Sequence, residues 1–414
     1  MISESPDAPI RPTQLFRIPN YRYLWLGQIV SDFGDSLVQL AMLLLINHLT
    51  GSVTALATLS MIMAVPRLVF GLLSGVYVDR FNRRHIMLAS DLSRALLVLA
   101  FILVDSPSRV WILYLIGFLQ GSVMTFFTPA RSALMPNLVP ARALLPANSI
   151  AQTTQVIFAL LGNTVAGLII GFSGSYWPVF ALASLTYFLS FASVFQIRHV
   201  PAAPLTPHSP ITLRYVLIQL QAGLKVTFSN PILAGSIVAL SVTMLGIGAV
   251  NVLMVPLVVN VLKVPETWFG LVGAGETVGT VLSGAVLAWL AARFRPQNLV
   301  VVGLLGAGLF LALVSTAQHV GLVVLFLFLT GLCIPPISAS VQTILQTEVP
   351  DDLRGRTSAA NNTLTTTAML LSMAAAGVLA DAIGVRLVFV IGGGLVILAG
   401  VMAFFIYHKG SNPV

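Results

Sequence analysis

Twelve separate runs of apolar residues, each long enough to cross a bilayer as a helix, constrain this chain more than any other feature. A spanning helix needs about 20 mostly apolar residues to cover the hydrocarbon core. Read between polar breaks, the runs lie at 22–48, 54–78, 85–104, 109–134, 145–171, 175–197, 231–260, 266–291, 298–316, 319–346, 357–381 and 386–407. Of the 414 residues, 57% are hydrophobic and 8% charged, whereas soluble domains carry about 25% charged residues. A single aqueous core cannot absorb that much apolar surface. The expected class is therefore an all-α membrane protein with twelve transmembrane helices.

The net charge of +8 does not indicate a nucleic-acid partner, because that requires a clustered basic face. The 21 Lys and Arg are scattered between apolar runs and set topology instead, since cytoplasmic loops carry the excess of positive charge. With the N-terminus inside, sixteen fall on the inner side, from Arg11 and Arg17 through Arg131 and Arg295 to Lys409. Only Arg109, Lys263 and Arg386 fall outside, and Arg67 and Arg94 lie within spans. Both termini are thus expected in the cytoplasm, and the chain in a plasma membrane, the bacterial inner membrane. Residues 1–21 lack the apolar core and cleavage site of a signal peptide. Cys333 is the single cysteine, which excludes an internal disulfide and a cysteine-rich metal site.

The longest break follows the sixth run and divides the spans six and six. Five segments are expected: a cytoplasmic segment 1–21, a six-helix bundle 22–197, a linker 198–230, a second bundle 231–407 and a tail 408–414. Proline-rich sequence opens the linker, and an interfacial helix is expected at about 211–228. The halves echo each other: Gly121 and Gly331 are 210 residues apart, and "LVP" at 138–140 repeats as "EVP" at 348–350 with the same offset. Two bundles related by a pseudo-twofold axis around a midplane site are a recurring transporter plan.

The run "GLLSGVYVDRFNRRHIM" falls between the second and third spans. Gly75, Asp79, Arg80, Arg83 and Arg84 resemble the cytoplasmic signature loop of the major facilitator superfamily, with Asn82 where that pattern usually has glycine. "WLGQIVSDFGDSL", "FFTPARSALMPNLVPARALLPANS" and "QTEVPDDLRGRTSAANN" narrow the resemblance to the drug-exporter branch that includes macrolide-efflux and enterobactin-export proteins. The resemblance implies the major facilitator fold and export by alternating access, with the first, fourth, seventh and tenth spans lining a central cavity.

This chain departs from that pattern at three places. In the fourth span Gly117 stands where many proton-coupled exporters carry an arginine. In the fifth, Asn163 and Ala166 replace the proline and one glycine of the antiporter motif. In the second half Ala288 stands where Asp79 would be, although Arg293 and Arg295 keep the charge. Proton coupling has to be argued from other residues.

Gln28, Asp32, Asp35 and Gln39 are spaced by four, three and four residues, which stacks them on one helical face. At 1.5 Å per residue, Asp32 and Asp35 lie about 15–20 Å from the inner boundary. A lipid-facing carboxylate at that depth costs roughly 2.5–3.5 kcal/mol, so the stripe should face protein or water. Each Asp is either the structural partner of a buried arginine or a site that loads and unloads protons as access alternates. Three charges near the same depth, Arg67, Asp91 and Arg94, are the candidate partners. Asp91 and Arg94 are three apart and should pair locally. The depth of Arg94 matches Asp32, which leaves Asp35 as the freer carboxylate, while Arg67 would neutralise either acid or hold an anionic substrate group.

Glu276, in "GAGETVGTVLSG", is the remaining deep acid: a carboxyl bonded to a neighbouring helix, or a second proton site. Its neighbours Gly273, Gly275, Gly279 and Gly284 indicate close helix packing. Gln120, Thr125, Phe127, Asn251, Met254, Ser338 and Gln342 lie on the presumed cavity spans, as helix–helix contacts individually or an amphiphilic lining collectively. "CIPP" at 333–336 should kink the tenth span. The six histidines lack metal-ligand spacing, no Walker loop is present, and no cofactor is expected.

These features favour a monomeric secondary exporter of a lipophilic or amphiphilic small molecule, drug, macrolide or siderophore-like, driven by proton antiport through Asp32 and Asp35. The alternative cargo is a lysophospholipid-type lipid, which similar major-facilitator proteins move. An enzyme should show a metal cluster or a nucleophile–base set, and a receptor a soluble signalling domain; the sequence shows neither.

Overall fold

The computed structural model describes residues 12–140, 143–198, 213–349 and 354–410. Those residues form helices and short turns. In chain order they are α1 (Pro12–Leu15), α2 (Pro19–Thr50), α3 (Val53–Arg80), α4 (Arg83–Leu99), α5 (Val110–Leu138), α6 (Leu144–Ser173) and α7 (Trp177–Phe195), followed by α8 (Leu213–Ser229), α9 (Pro231–Val255), α10 (Phe269–Arg293), α11 (Pro296–Val314), α12 (Val320–Glu348), α13 (Arg354–Ile383) and α14 (Val385–Gly410). All but α1 and α8 are long and apolar enough to cross a membrane, giving twelve spans. With no water in the bilayer core, only helices satisfy every backbone group within one segment. The chain is a multi-pass α-helical membrane protein.

The ends of these helices follow from local chemistry. Asn82 caps α4 by accepting a 3.0 Å hydrogen bond from the Arg84 amide, which explains an asparagine at this place in the signature loop. Asn230 does the same for α9, accepting from Ile232 N–H at 2.9 Å. Its amide nitrogen also donates to Glu348 Oε2 at 3.0 Å, fastening the start of α9 to the end of α12. Gly174 and Gly384 follow α6 and α13 with φ of +62° and +85°, left-handed positions at which a side chain would be strained. Pro335 and Pro336 lie inside α12, and the helix runs through both. After Pro256 the end of α9 widens into a π turn, Pro256–Val261.

The packing resolves into two compact units, Met1–Leu45 with Ile62–His208, and Ile46–Met61 with Ser209–Val414. In the first, α4 packs against α5 and α7. A buried cluster including Leu15, Tyr21, Leu24, Met87, Phe127 and Leu134 joins α1 and α2 to α4 and α5. In the second, α12 packs against α10 and α11, α14 against α9 and α11, and α13 against α8 and α9. The turn between α2 and α3 belongs to this second unit. Asn47 and Asn260 exchange amide hydrogen bonds of 3.1 and 3.0 Å, and Thr54 donates to Asp381 at 2.5 Å.

Gly121 and Gly331 do the same job in their respective units. A Cβ at Gly121 would collide with the Met63 carbonyl of α3, and one at Gly331 with the Glu276 carbonyl of α10. Small residues let membrane helices approach backbone to backbone, so the 210-residue echo in the sequence marks two equivalent helix crossings.

Candidate functional site

Five charged side chains from three helices meet in the first unit. Asp32 and Asp35 come from α2, Asp91 and Arg94 from α4, and Arg131 from α5. Close approach of α2 to α7 makes room for them: a Cβ at Gly34 would strike Thr186 Oγ1 and lie 3.3 Å from the Tyr187 ring. The "SDFGDS" sequence thus combines the acids with the one residue that allows their helix to sit against Tyr187.

Arg94 is the hub, with only 1% of its side chain exposed. Its Nη1 donates to both oxygens of Asp35, at 2.8 and 3.1 Å. Its Nη2 donates to Asp91 Oδ1 at 2.5 Å and to Ser31 Oγ at 2.8 Å. The guanidinium lies between two rings, 4.2 Å from the centroid of Phe127 and 4.6 Å from that of Tyr187. Stacking of this kind suits arginine, whose planar cation is weakly hydrated. Tyr187 also donates its hydroxyl to Asp35 Oδ1 at 2.6 Å, and Ser190 donates to Asp91 Oδ2 at 2.7 Å. Beside this hub, Arg131 Nη1 donates to Asp32 Oδ1 at 2.9 Å.

The pairing corrects the assignment made from depth. Arg94 pairs with Asp35 rather than Asp32, and Asp32 pairs with Arg131, which the topology count had placed among the inner-side charges. The local Asp91–Arg94 pair is present. Asp35, expected to be the freer acid by default of partners, has two strong ones, yet it is the most accessible of the three carboxylates. Its side chain is 27% exposed, against 6% for Asp32 and 0% for Asp91. Three acids and two arginines give the cluster a formal charge of −1, so one proton neutralises it.

The other sequence candidates separate into groups. Gln28 is buried in α2 and Gln39 exposed. Gln120 is buried and donates to the Arg94 carbonyl at 3.3 Å, supporting the hub. Thr125 bonds back to the Gly121 carbonyl at 2.8 Å within its own helix. Phe127 is not a cavity wall: it is 1% exposed and serves as a stacking face for Arg94. Arg67 is exposed on α3 and pairs with none of the three acids among the described residues. Glu276 is exposed on α10, and no helix-to-helix hydrogen bond from its carboxyl is present among the described residues. Its glycine neighbours Gly275 and Gly279 do press against α12, at Val324 and Phe328. Asn251, Ser338 and Gln342 are exposed, and Met254 is half-buried.

In the signature loop, Arg83 donates to the Ala133 carbonyl of α5 at 3.1 Å. Arg84 donates to the last carbonyls of α7, Val194 at 3.2 Å and Phe195 at 2.6 Å. Cations at a helix C-terminus complement its dipole. Arg80 is exposed, and the surroundings of Gly75 and the Asp79 side chain lie outside what is described.

Sequence reasoning missed Arg131, Tyr187, Ser31 and Ser190. A signal for Arg131 existed: Gln120, Met124, Phe127 and Arg131 recur every three or four residues, the spacing of one helical face. Tyr187 and Ser190 are three apart in a span that also carries Ser184, Thr186 and Ser193, so nothing singles them out.

Comparison with known proteins agrees with this architecture. A family model described as "Transmembrane secretion effector" matches residues 8–410. The MFS-type transporter YfiS of Bacillus subtilis (strain 168) is 28% identical over 382 residues, covering 91% of this chain and 90% of its own. Macrolide efflux protein A of Streptococcus pyogenes is 23% identical, covering 92% and 94%. Enterobactin exporter EntS of Escherichia coli O1:K1 / APEC is 26% identical, covering 82% and 80%. Among solved structures, nucleoside transporter NupG superposes with a TM-score of 0.76 at 12% identity, covering 95% of this chain and all of that one. A bacterial homologue of the iron transporter ferroportin gives 0.74 at 18% identity, covering 95% and 99%.

Proposed function

The chain belongs to the transmembrane secretion effector family of the major facilitator superfamily, and from that premise we propose that it exports a lipophilic or amphiphilic small molecule in exchange for protons bound at Asp35. The membrane is the bacterial inner membrane, with both termini in the cytoplasm. Macrolide- and siderophore-like compounds are the cargo classes suggested by the named relatives.

One observation carries the coupling role. Asp35 is the partly exposed member of a charge cluster that holds one acid more than it holds bases. Asp91 and Asp32 are more deeply buried, each against its own arginine, Arg94 and Arg131. Protonation of Asp35 removes the excess charge and weakens its hold on Arg94, while Asp91 keeps the arginine in place. A cationic amphiphile approaching the cluster competes with that proton, which is the exchange an antiporter needs. Glu276 is a second, exposed carboxylate in the other unit, and among the described residues no arginine pairs with it.

The test is dye or macrolide export from proteoliposomes with an imposed pH gradient. Asp35→Asn should abolish gradient-driven export and leave substrate binding measurable. Undiminished, gradient-dependent export by this variant would refute the role. Retained lysophospholipid flipping with no drug transport would favour the lipid cargo instead.

A further inference from the structure

The second unit contains a cavity that the export reading does not use. It has a volume of about 510 Å³ and lies where α9 and α11 start and α14 ends. Its polar side is formed by Arg295, Gln297 and Asn298, its apolar side by Ile232, Val301 and Phe404. Tyr407 and His408 close it, with Tyr407 fixed by a 2.8 Å hydrogen bond to Ser236 and His408 stacked on Phe404. Among the described residues, no acidic side chain lines it. Arg295, Gln297 and Asn298 make no side-chain hydrogen bond or ion pair to other described residues.

We infer that this cavity binds the headgroup phosphate of an anionic phospholipid, with Arg295 and Asn298 on the phosphate and the first acyl carbons against Phe404 and Val301. A guanidinium with no side-chain partner among the described residues, beside two amides, offers several donors, the pattern that suits phosphate oxygens. The start of α11 adds the positive end of a helix dipole. Val302 and Phe405, the chain neighbours of the lining residues Val301 and Phe404, are 68% and 58% accessible and offer further apolar surface beside it. A soluble phosphate would have no use for that wall, whereas a lipid needs both sides. Nearby Arg293 stacks on Trp289 at 4.7 Å, an arrangement typical of the headgroup level.

The test is native mass spectrometry of the full chain in detergent, titrated with phosphatidylglycerol, phosphatidylcholine and glycerol 3-phosphate. Phosphatidylglycerol should be retained in preference to phosphatidylcholine. Arg295→Gln should weaken its apparent affinity about fivefold, equivalent to about 1 kcal/mol per basic residue at an anionic surface. Lys263→Gln, beyond the opposite end of α10, should not. Since Arg295 is exposed, an unchanged melting temperature should accompany that loss, and Asn298→Leu should weaken retention in the same direction. Equal retention of phosphatidylglycerol by Arg295→Gln, no preference over phosphatidylcholine, or displacement by equimolar glycerol 3-phosphate would each overturn the assignment.

Discussion

Replacing Arg94 with leucine tests whether the charge cluster is the organising element of the first unit. The substitution leaves Asp91 fully buried and Asp35 mostly so, facing each other without their shared cation. Removing one partner of a buried ion pair costs about 3–5 kcal/mol, because the remaining charge stays desolvated. In a unit of this size each kcal/mol moves the melting temperature by roughly 2–4 °C, so Arg94→Leu should lower it by about 6–20 °C. The assay is thermal unfolding in detergent followed by tryptophan fluorescence. Adding Asp91→Asn to the same chain removes one stranded acid and should restore part of the loss, with a coupling of about 0.5–3 kcal/mol as for residues in one network. A loss under about 2 °C for Arg94→Leu, or strictly additive losses in the double variant, would refute the reasoning.

The same logic applies to the second pair: Arg131→Gln should destabilise through the stranded Asp32, and Asp32→Asn in the same chain should recover stability in the same unfolding assay. Gly34→Leu should prevent α2 from approaching Thr186 and Tyr187, at a cost of about 1–3 kcal/mol or more from overpacking, and should impair export even though it touches no charge. Arg84→Ala removes two hydrogen bonds to the last carbonyls of α7, each worth about 1.5–3 kcal/mol at a charged donor; hydrogen exchange at 192–195 should rise.

Much of this architecture was legible because membrane physics leaves few options. The twelve spans followed from run length, and the Gly121–Gly331 echo located two equivalent helix crossings. The acidic stripe on α2 was legible from spacing alone, since carboxylates at mid-depth have to find partners. Which partner each finds was not legible. Axial depth placed Arg94 level with Asp32, but pairing also depends on the direction each helix face points and on how closely helices approach. Gly34 brings α2 against α7 beside Asp35, and that geometry turns Asp35 toward Arg94 and Tyr187. Arg131 was obscured for a related reason: it lies near the end of its span, where positive charges ordinarily belong to a loop, yet α5 continues to Leu138 and carries it to Asp32. Phe127 looked like a lining residue because an aromatic side chain on a cavity helix fits a substrate contact or a cation platform equally well.

The central claim is that Asp35 carries the exchanged proton, and proton release on substrate binding tests it most directly. Purified protein in weakly buffered detergent solution is mixed with a saturating macrolide or cationic dye while a pH indicator records released protons. Proton release by the wild-type chain that Asp35→Asn abolishes, with both binding the compound, is the expected result. Release by Asp35→Asn equal to that of the wild type would contradict it.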